Sequence, residues 1–378
     1  MRGTFARPPV SRQTWLFVFV FLLGCSARQT PRSLAAESAP EAAPLEPVAI
    51  PEGGFRLSIV PTPTGDVNEW GQWVAAYKQA HDLGCSVAHT YTDWVVTEPS
   101  AGQYKWGEID YFFTLAKQQQ MQVSMQISII DINTLGKLPK DLKAKSLKDP
   151  KLKERFLTYV EAFAKKNRGN VDYLWLGNEV DIYLDKHPDE LDAWVDIFRQ
   201  AVAIVHREAP GVKVGLSMTY HTALGNGRTD WIHKWGPYCD IVAVTFYPEM
   251  MPGGFQPDSL QAQFDGLVRA YGQYRLAIIE TAVGATGEYG GGEAAQVRYC
   301  TELFKALRRH KDRFAFVGWY TLNDYPEEWL APMKAKFEDQ ALGRWFSALS
   351  MASHDGKARP VMRTWAEEAR KFYATSGR

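Results

Sequence analysis

The chain has 378 residues, 46% of them hydrophobic and 23% charged, and lysine plus arginine equal aspartate plus glutamate at 43 each. This composition excludes wholesale disorder, a collagen-like repeat and a protein of many membrane spans. The charge balance gives no reason to expect nucleic acid as a partner. The length suits one large α/β domain, and 13 Trp, 17 Tyr and 19 Phe supply aromatic faces that can stack on ligands.

The N-terminus has the pattern of a secretion signal. Arg2, Arg7 and Arg12 precede an apolar run over residues 15–23, which is too short to span a bilayer. We therefore predict a signal peptide over residues 1–24.

The apolar run ends in Leu-Leu-Gly-Cys, with the cysteine at Cys25. This tetrapeptide resembles the lipobox of bacterial lipoproteins, which implies lipid acylation of Cys25 and a membrane anchor in the cell envelope. Ser26 replaces the aspartate associated with inner-membrane retention, so the outer membrane is the expected address. The alternative is an ordinary signal peptide and a secreted protein. Residues 25–52, rich in Ala, Pro and Glu, are predicted to be a flexible tether.

Three further cysteines, Cys85, Cys239 and Cys300, cannot all pair with one another. None has Cys-x-x-Cys or Cys/His ligand spacing, so we expect no zinc site and no catalytic thiol. They are interpreted as buried small hydrophobic residues, and one disulfide among them remains open.

From residue 55 onward, short apolar runs alternate with longer amphipathic segments. The predicted strands are 55–60, 86–93, 122–130, 173–180, 213–218, 241–247, 276–281 and 314–322. The predicted helices that follow them are 68–83, 109–119, 150–166, 191–208, 231–235, 260–271, 294–310 and 362–373. Eight such pairs predict a single closed (β/α)8 TIM barrel over residues 53–378. The competing open doubly wound sheet lacks the Gly-x-Gly-x-x-Gly that would follow its first strand.

Two of the predicted strands end in glutamate. Strand 4 ends in Asn178-Glu179, and strand 7 ends in Glu280. In a barrel, functional groups lie at the carboxyl ends of the strands. We expect Ile278 and Glu280 to share the inward face of strand 7, with Glu179 facing the same cavity. Two carboxylates that face each other across a cleft are the groups that glycoside hydrolysis requires.

At these positions the sequence resembles the retaining glycoside hydrolases of clan A, the 4/7 barrels. The resemblance covers about residues 55–325. It implies that Glu179 is the catalytic acid/base, that Glu280 is the nucleophile, and that the amide of Asn178 binds the 2-hydroxyl of the sugar. It implies neither a cofactor nor a metal.

Further positions agree with this resemblance. Strand 6 ends at Tyr247, where the clan has a tyrosine that donates to the nucleophile, and strand 8 ends near Trp319, where the clan has a tryptophan beneath the sugar. The stretch from Trp94 to Asp110 is similar to the segment after strand 2 in several clan members. Trp94 is a candidate for substrate binding, and its alternative is a tryptophan of the core. Residues 240–281 are most like the endo-β-1,4-galactanase family.

One departure concerns strand 2, where many clan members carry an arginine that holds the nucleophile. This chain has His89 in that region. His89 is the candidate substitute, and the alternative is a histidine hydrogen-bonded inside the barrel mouth. His221, just past strand 5, is a candidate for lining the cleft, and its alternative is a solvated loop.

The hypothesis from the sequence is a monomeric, lipid-anchored retaining glycosidase that acts on a β-linked poly- or oligosaccharide. The endo-acting, galactanase-like mode is one form of it. Two alternatives remain open: a glycan-binding barrel that has lost catalysis, and a transglycosylase that uses the same two glutamates.

Overall fold

The computed structural model describes residues 45–65, 69–251, 253–334 and 339–376. The predicted signal peptide, Cys25 and most of the predicted tether lie outside these residues. Within the described ranges, no helix is long and apolar enough to cross a membrane.

The strands of the main sheet are all parallel and form a barrel. Their bounds are β1 Arg56–Val60, β2 Cys85–Asp93, β3 Gln122–Ser128, β4 Tyr173–Trp175, β5 Lys213–Gly215 and Ser217–Thr219, β6 Val242–Phe246, β7 Leu276–Thr281 and β8 Phe314–Thr321. The first half of β5 pairs with β4 and its second half pairs with β6, while β8 pairs with β1. The predicted (β/α)8 barrel is therefore confirmed.

Helices surround this barrel. They are α1 Trp70–Asp82, α2 Gly107–Gln118, α3 Pro150–Lys166, α4 Leu191–Glu208, α5 Ile232–Trp235, α6 Leu260–Tyr271, α7 Glu293–His310 and α8 Pro360–Ser376. The loops after the strands hold shorter helices, Trp94–Thr97, Val180–Lys186, Tyr220–Gly225, Glu327–Lys334 and Gln340–Phe346. The predicted bounds of α3, α6 and β7 agree with the structure, whereas β4 ends five residues before the predicted Val180.

The sequence of α3 shows why its bounds could be predicted. The side chain of Asp149 accepts a hydrogen bond from the backbone N–H of Lys151, and Pro150 occupies the first turn, where no N–H is needed. Phe156 and Phe163, seven residues apart on one face, are buried against the barrel. Local capping and helical periodicity therefore determine this element together.

Side chains inside the barrel form their own apolar cluster, separate from the larger cluster between strands and helices. Ala277 and Ile279 of β7 belong to the interior cluster, whereas Ile278 belongs to the outer one. The prediction that Ile278 shares a face with Glu280 is therefore wrong. The pairing of β7 with β6 contains a bulge between Ile278 and Glu280, where the register shifts. In a regular strand Glu280 would point outward like Ile278, and the bulge turns it inward.

The last residues of the predicted tether pack against the barrel. Val48 is 3% exposed, and its N–H donates to the carbonyl of Asp82. The side chain of Val48 packs so closely on Gly84 that a Cβ at Gly84 would lie only 2.9 Å from it. The carbonyl of Glu46 accepts a hydrogen bond from Arg370 of α8. Residues 45–50 thus differ from the flexible tether expected there.

The three cysteines of the barrel carry free thiols. Cys85 and Cys300 are buried and Cys239 is partly buried. Burial raises the pKa of all three thiols, which keeps them protonated and unreactive. Their interpretation as packing residues holds, and the disulfide left open by the sequence is not formed.

Candidate active site

Glu179 sits in a sharp turn just beyond β4. Gly177 and Glu179 have φ angles of 138° and 46°, so the chain leaves the strand through two left-handed residues. At Gly177 a side chain would also meet Val180 at 2.7 Å. The backbone N–H of Glu179 donates to Ser217 Oγ at 2.9 Å, which fixes this strained conformation.

The carboxyl group of Glu179 is directed across the mouth of the barrel toward β6. Its Oε1 accepts a hydrogen bond from Thr245 Oγ1 at 2.7 Å, and the residue is 1% exposed. Its Oε2 has no hydrogen-bond partner among the described residues. One oxygen is thus held in place while the other is left for a ligand.

Glu280 faces the same mouth from β7. The hydroxyl of Tyr247 donates to Glu280 Oε2 at 3.0 Å, so the contact expected from the sequence is present. His89 Nε2 lies 4.0 Å from Glu280 Oε1, which is too long for a hydrogen bond. Glu280 is 5% exposed and is therefore almost entirely removed from water.

The two carboxyl groups differ in pKa. Burial raises the pKa of Glu280 to about 7, with a further rise from Asp131 and a partial offset from the Tyr247 hydrogen bond. Burial and the neighbouring Glu280 raise the pKa of Glu179 well above its ordinary value. Glu280 therefore becomes a carboxylate as pH rises through about 7, while burial and the charge of Glu280 favour the protonated form of Glu179. Such a pair can attack with one group and donate a proton with the other.

Asn178, the residue before Glu179, is held on both sides. Its Nδ2 donates to Asp131 Oδ1 at 3.1 Å, and its Oδ1 accepts from Ser217 Oγ at 3.1 Å. Ser217 Oγ also accepts a hydrogen bond from the backbone N–H of Glu179, so the same serine positions both Asn178 and Glu179. Asn178 lies in the mouth, as predicted, and is 3% exposed.

Three tyrosines near Glu280 were missed in the sequence. Tyr91 and Tyr325 hydrogen-bond through their hydroxyls, and the ring of Tyr320 lies 6.4 Å from that of Tyr247. The charge of Glu280 raises the pKa of all three, after the larger effect of burial. Strand alternation could have found Tyr91, because it is two residues beyond His89, but Tyr325 lies in a loop that has no periodic signal.

The prediction for Trp319 is wrong. Phe316 of β8 faces the barrel interior, so Trp319, three residues later, faces the helices. Its ring centroid lies 6.0 Å from those of Tyr299 on α7 and Trp365 on α8, and its Nε1 donates to the carbonyl of Leu349. Trp319 is core, and the aromatic side chain of β8 at the mouth is Tyr320.

Trp94 is also not in the mouth. It is fully buried, its ring stacks on Tyr159 of α3 at 5.5 Å, and its Nε1 donates to Glu98 Oε2 at 2.7 Å. These contacts attach the loop after β2 to the helix layer. The expected substrate contact is therefore wrong, because the short helix that begins at Trp94 turns its ring away from the cavity.

Two predicted histidines are buried in the mouth. His89 Nδ1 hydrogen-bonds with Ser124 Oγ, and the ring of His221 lies 6.3 Å from that of Tyr247, so the solvated-loop alternative for His221 is wrong. Burial lowers the pKa of each to about 3, so both are neutral. His89 occupies the region of the missing arginine without supplying its charge. Among the described residues no three His, Cys, Asp or Glu side chains form a metal-ligand group.

Replacement of Tyr247 by phenylalanine is expected to lower kcat/KM on a hydrolysed glycoside by about 10- to 150-fold, since a hydrogen bond to a charged group contributes about 1.5–3 kcal/mol. The lost bond lowers the pKa of Glu280 in the native protein. Its removal should therefore move the acidic limb of the pH–rate profile upward. An unchanged acidic limb would contradict a direct role of Tyr247. Tyr220→Phe is the control, because Tyr220 packs on Phe246 outside the mouth.

Glu280→Gln is expected to stabilise the protein at pH 8 and to change its stability little at pH 5. A carboxyl group whose pKa is raised on folding stabilises the native state below its unfolded pKa, and this contribution is lost as pH rises through the folded value, here about 7. A shift of this size corresponds to about 3 kcal/mol, which a neutral amide would not lose. Thermal unfolding at both pH values is the measurement, and an equal change at both would contradict it.

The chain is thus a (β/α)8 barrel with two buried glutamates at the carboxyl ends of β4 and β7. No protein-family model matches it, and no curated protein matches it in sequence. Solved structures do match in fold. The exo-β-1,4-mannosidase Op5Man5 from Opitutaceae bacterium strain TAV5 has a TM-score of 0.68 at 14% identity, over 85% of this chain and 60% of that one.

Two more solved structures are similar. GH5_18 from Streptomyces cattleya, in complex with GlcNAc, has a TM-score of 0.65 at 18% identity, over 84% of this chain and 80% of that one. Xylanase 10B from Thermotoga maritima has a TM-score of 0.59 at 11% identity, over 85% of this chain and 97% of that one. At these identities the likeness shows a shared barrel fold, because one fold supports many reactions. The argument for function therefore rests on the site.

Proposed function

We propose that this protein is a retaining β-glycosidase. The observation that carries the proposal is the pair Glu179 and Glu280, buried in one cavity at the ends of β4 and β7, where burial raises the pKa of both and the charge of Glu280 raises that of Glu179 further. The similarity in fold to solved glycoside hydrolases and the sequence resemblance to clan A support the same assignment.

In this mechanism Glu280 attacks the anomeric carbon and forms a glycosyl-enzyme, while Glu179 protonates the departing oxygen. When the negative charge of Glu280 is consumed by the new bond, the repulsion that raises the pKa of Glu179 disappears. Glu179 then accepts a proton from water, which attacks the glycosyl-enzyme and releases the sugar with its original configuration. Tyr247 holds the attacking carboxylate through its hydroxyl.

The substrate is expected to be a β-linked poly- or oligosaccharide. The test is a screen of the barrel domain on β-mannan, β-xylan, β-1,4-galactan and bacterial β-glycans, with the anomer of the first product read by NMR. Galactan is included because residues 240–281 resemble the endo-galactanase family. A product of inverted configuration would overturn the retaining mechanism. Binding without cleavage of any glycan would overturn the proposal that the protein is an enzyme.

A non-catalytic glycan-binding barrel is the second candidate, and one observation favours it. In the described part of the chain, no lysine or arginine forms an ion pair with Glu280, and its pKa of about 7 is high for a nucleophile. The same screen separates the two, since binding and cleavage are measured on the same glycans. A sugar hydroxyl in place of water would give transglycosylation, which appears as longer products.

We further propose that the protein is anchored to the bacterial outer membrane through Cys25, on the evidence of the lipobox-like Leu-Leu-Gly-Cys. Cys25→Ser is expected to abolish incorporation of labelled palmitate and to release the protein from the membrane fraction. A Ser26→Ala variant is the matched control and should label like the parent. Unchanged fractionation of the Cys25→Ser variant would contradict the anchor.

A further inference from the structure

A third carboxyl group, which the mechanism does not use, lies in the mouth beside the two glutamates. Asp131 follows β3 in a two-residue strand and is 9% exposed. It accepts a hydrogen bond from Asn178, the residue before Glu179, and its charge raises the pKa of both Glu179 and Glu280, so it lies close to both carboxyl groups. The sequence did not single it out.

Asp131 forms a fixed pair with Asn178. The carboxylate accepts from Asn178 Nδ2, and Ser217 donates to the other end of the same amide. Burial raises the pKa of Asp131 to about 7, and above that pH it is a carboxylate, which can only accept. The serine here donates, so the orientation of the amide is determined. The mouth therefore presents an acceptor, Asp131, directly next to a donor, Asn178.

The backbone holds this pair rigidly. Asn178 N–H donates to the carbonyl of Ile130, and Ile132 N–H donates to the carbonyl of Asn178, each at 2.9 Å. To make the second bond Ile132 adopts a φ of 58°, in the left-handed region that a β-branched residue rarely occupies. A strained, fully buried Ile132 at this place indicates that the position of the pair is functionally constrained.

The mouth contains buried acceptors that lack donors. Glu179 Oε2 and Gln126 Oε1 have no hydrogen-bond partner in the described part of the chain, and both residues are 1% exposed. Among the described residues no lysine or arginine forms an ion pair with Glu179 or Glu280, and the basic group near Asp131 is Lys137, which pairs with Asp93 and lowers the pKa of Asp131. Because buried acceptors require partners, the site is built for a ligand that brings hydrogen-bond donors.

We propose that Asp131 is a specificity-determining residue that binds the substituent on C2 of the sugar and requires it to be a hydrogen-bond donor. This rests on the proposed function, because C2 is the carbon next to the one that Glu280 attacks. A hydroxyl matches the acceptor and donor of the pair, and an ammonium matches the carboxylate with an added charge interaction. A hydrogen atom on C2 lacks this fit, because it can neither donate to Asp131 nor accept from Asn178.

The experiment uses 4-nitrophenyl β-glycosides of the sugar identified in the screen, with hydroxyl, ammonium or hydrogen on C2. Each is hydrolysed by the parent protein and by the Asp131→Asn variant, and the ratio of kcat/KM between the two proteins is taken for each glycoside. Intrinsic differences in reactivity cancel in this ratio. We expect a loss of about 10- to 150-fold for the ammonium, a smaller loss for the hydroxyl, and less than about 3-fold for the hydrogen.

Asp181→Asn is the matched control. Asp181 is also a buried aspartate, but its carboxylate binds the backbone N–H and hydroxyl of Thr219. Its replacement should change all three glycosides by the same factor. An equal loss on the three glycosides in the Asp131→Asn variant would overturn the proposal while leaving the glycosidase intact; no hydrolysis by the parent would instead overturn the proposed function.

A second measurement avoids the variant, in case it does not fold. Non-hydrolysable thioglycosides with hydroxyl, ammonium or hydrogen on C2 are titrated into the parent protein by calorimetry. The hydrogen compound is expected to bind at least about 5-fold more weakly than the other two, since a hydrogen bond to a charged group is lost. Equal affinity for all three would overturn the role of Asp131.

Discussion

Glu280→Ala is expected to abolish hydrolysis of every glycoside, with a loss of kcat of at least about 10⁴-fold, because no group remains to form the covalent intermediate. The structure makes substitution by a neighbour implausible. Of the neighbouring titratable groups, Glu179 is held by Thr245 and has a pKa raised by burial, which favours its protonated form, and His89 is neutral. The measurement is turnover of activated aryl β-glycosides, whose leaving groups need no acid.

The control for this experiment is Glu249→Gln. Glu249 is a buried glutamate just beyond β6, but its Oε1 accepts from the backbone of Gly284, and it is not among the groups that raise the pKa of Glu179 or Glu280. It should retain turnover. Azide added to the Glu280→Ala variant should give a glycosyl azide of inverted configuration, since the small anion attacks from the face that Glu280 vacates. An azide of retained configuration from this variant would reverse the roles of the two glutamates.

Glu179→Ala is expected to lower turnover of glycans with poor leaving groups by about 10²- to 10⁴-fold, the usual contribution of a general acid. Glycosides with activated aryl groups should still glycosylate Glu280, and the intermediate should then accumulate because no base activates water. A burst of nitrophenolate followed by slow release is the expected observation. Azide should relieve the slow step and give a glycosyl azide of retained configuration.

The control for the acid is Thr245→Val, which keeps Glu179 but removes the hydrogen bond to its Oε1. That bond lowers the pKa of Glu179, so its loss should raise the pKa further and extend activity toward alkaline pH. If Glu179→Ala affected activated and poor leaving groups equally, Glu179 would not be the acid. If Thr245→Val shifted the acidic limb instead, Thr245 would act on another group.

Much of the fold could be predicted from the sequence because its signals are local. Helical periodicity and apolar strand runs gave eight strand–helix pairs, and eight parallel pairs close into a barrel. Two glutamates at the ends of strands 4 and 7 could be found in the same way, since a charged residue that ends a buried run is visible in the sequence. Tyr247 followed from the end of strand 6.

The direction of each side chain was decided only by the tertiary structure. Strand parity gave the wrong face to Ile278, because the bulge that turns Glu280 inward arises from pairing with β6, which leaves no mark in the sequence of β7. Trp319 faces α7 and α8 for a similar reason, since its orientation follows from which residues of β8 fill the barrel. Parity states that neighbours alternate, but it does not say which set points inward.

The surroundings of the two glutamates were likewise decided by the fold. Asp131, Asn178 and Ser217 come from three separate strand ends, and they form one hydrogen-bonded group only because the barrel brings those ends together. The raised pKa values of Glu179 and Glu280 are due mainly to burial, which depends on all the residues that form the mouth. The sequence by itself therefore determined the architecture and the two candidate catalytic residues, whereas the tertiary structure decided what holds them, because contacts between distant strand ends exist only once the barrel is closed.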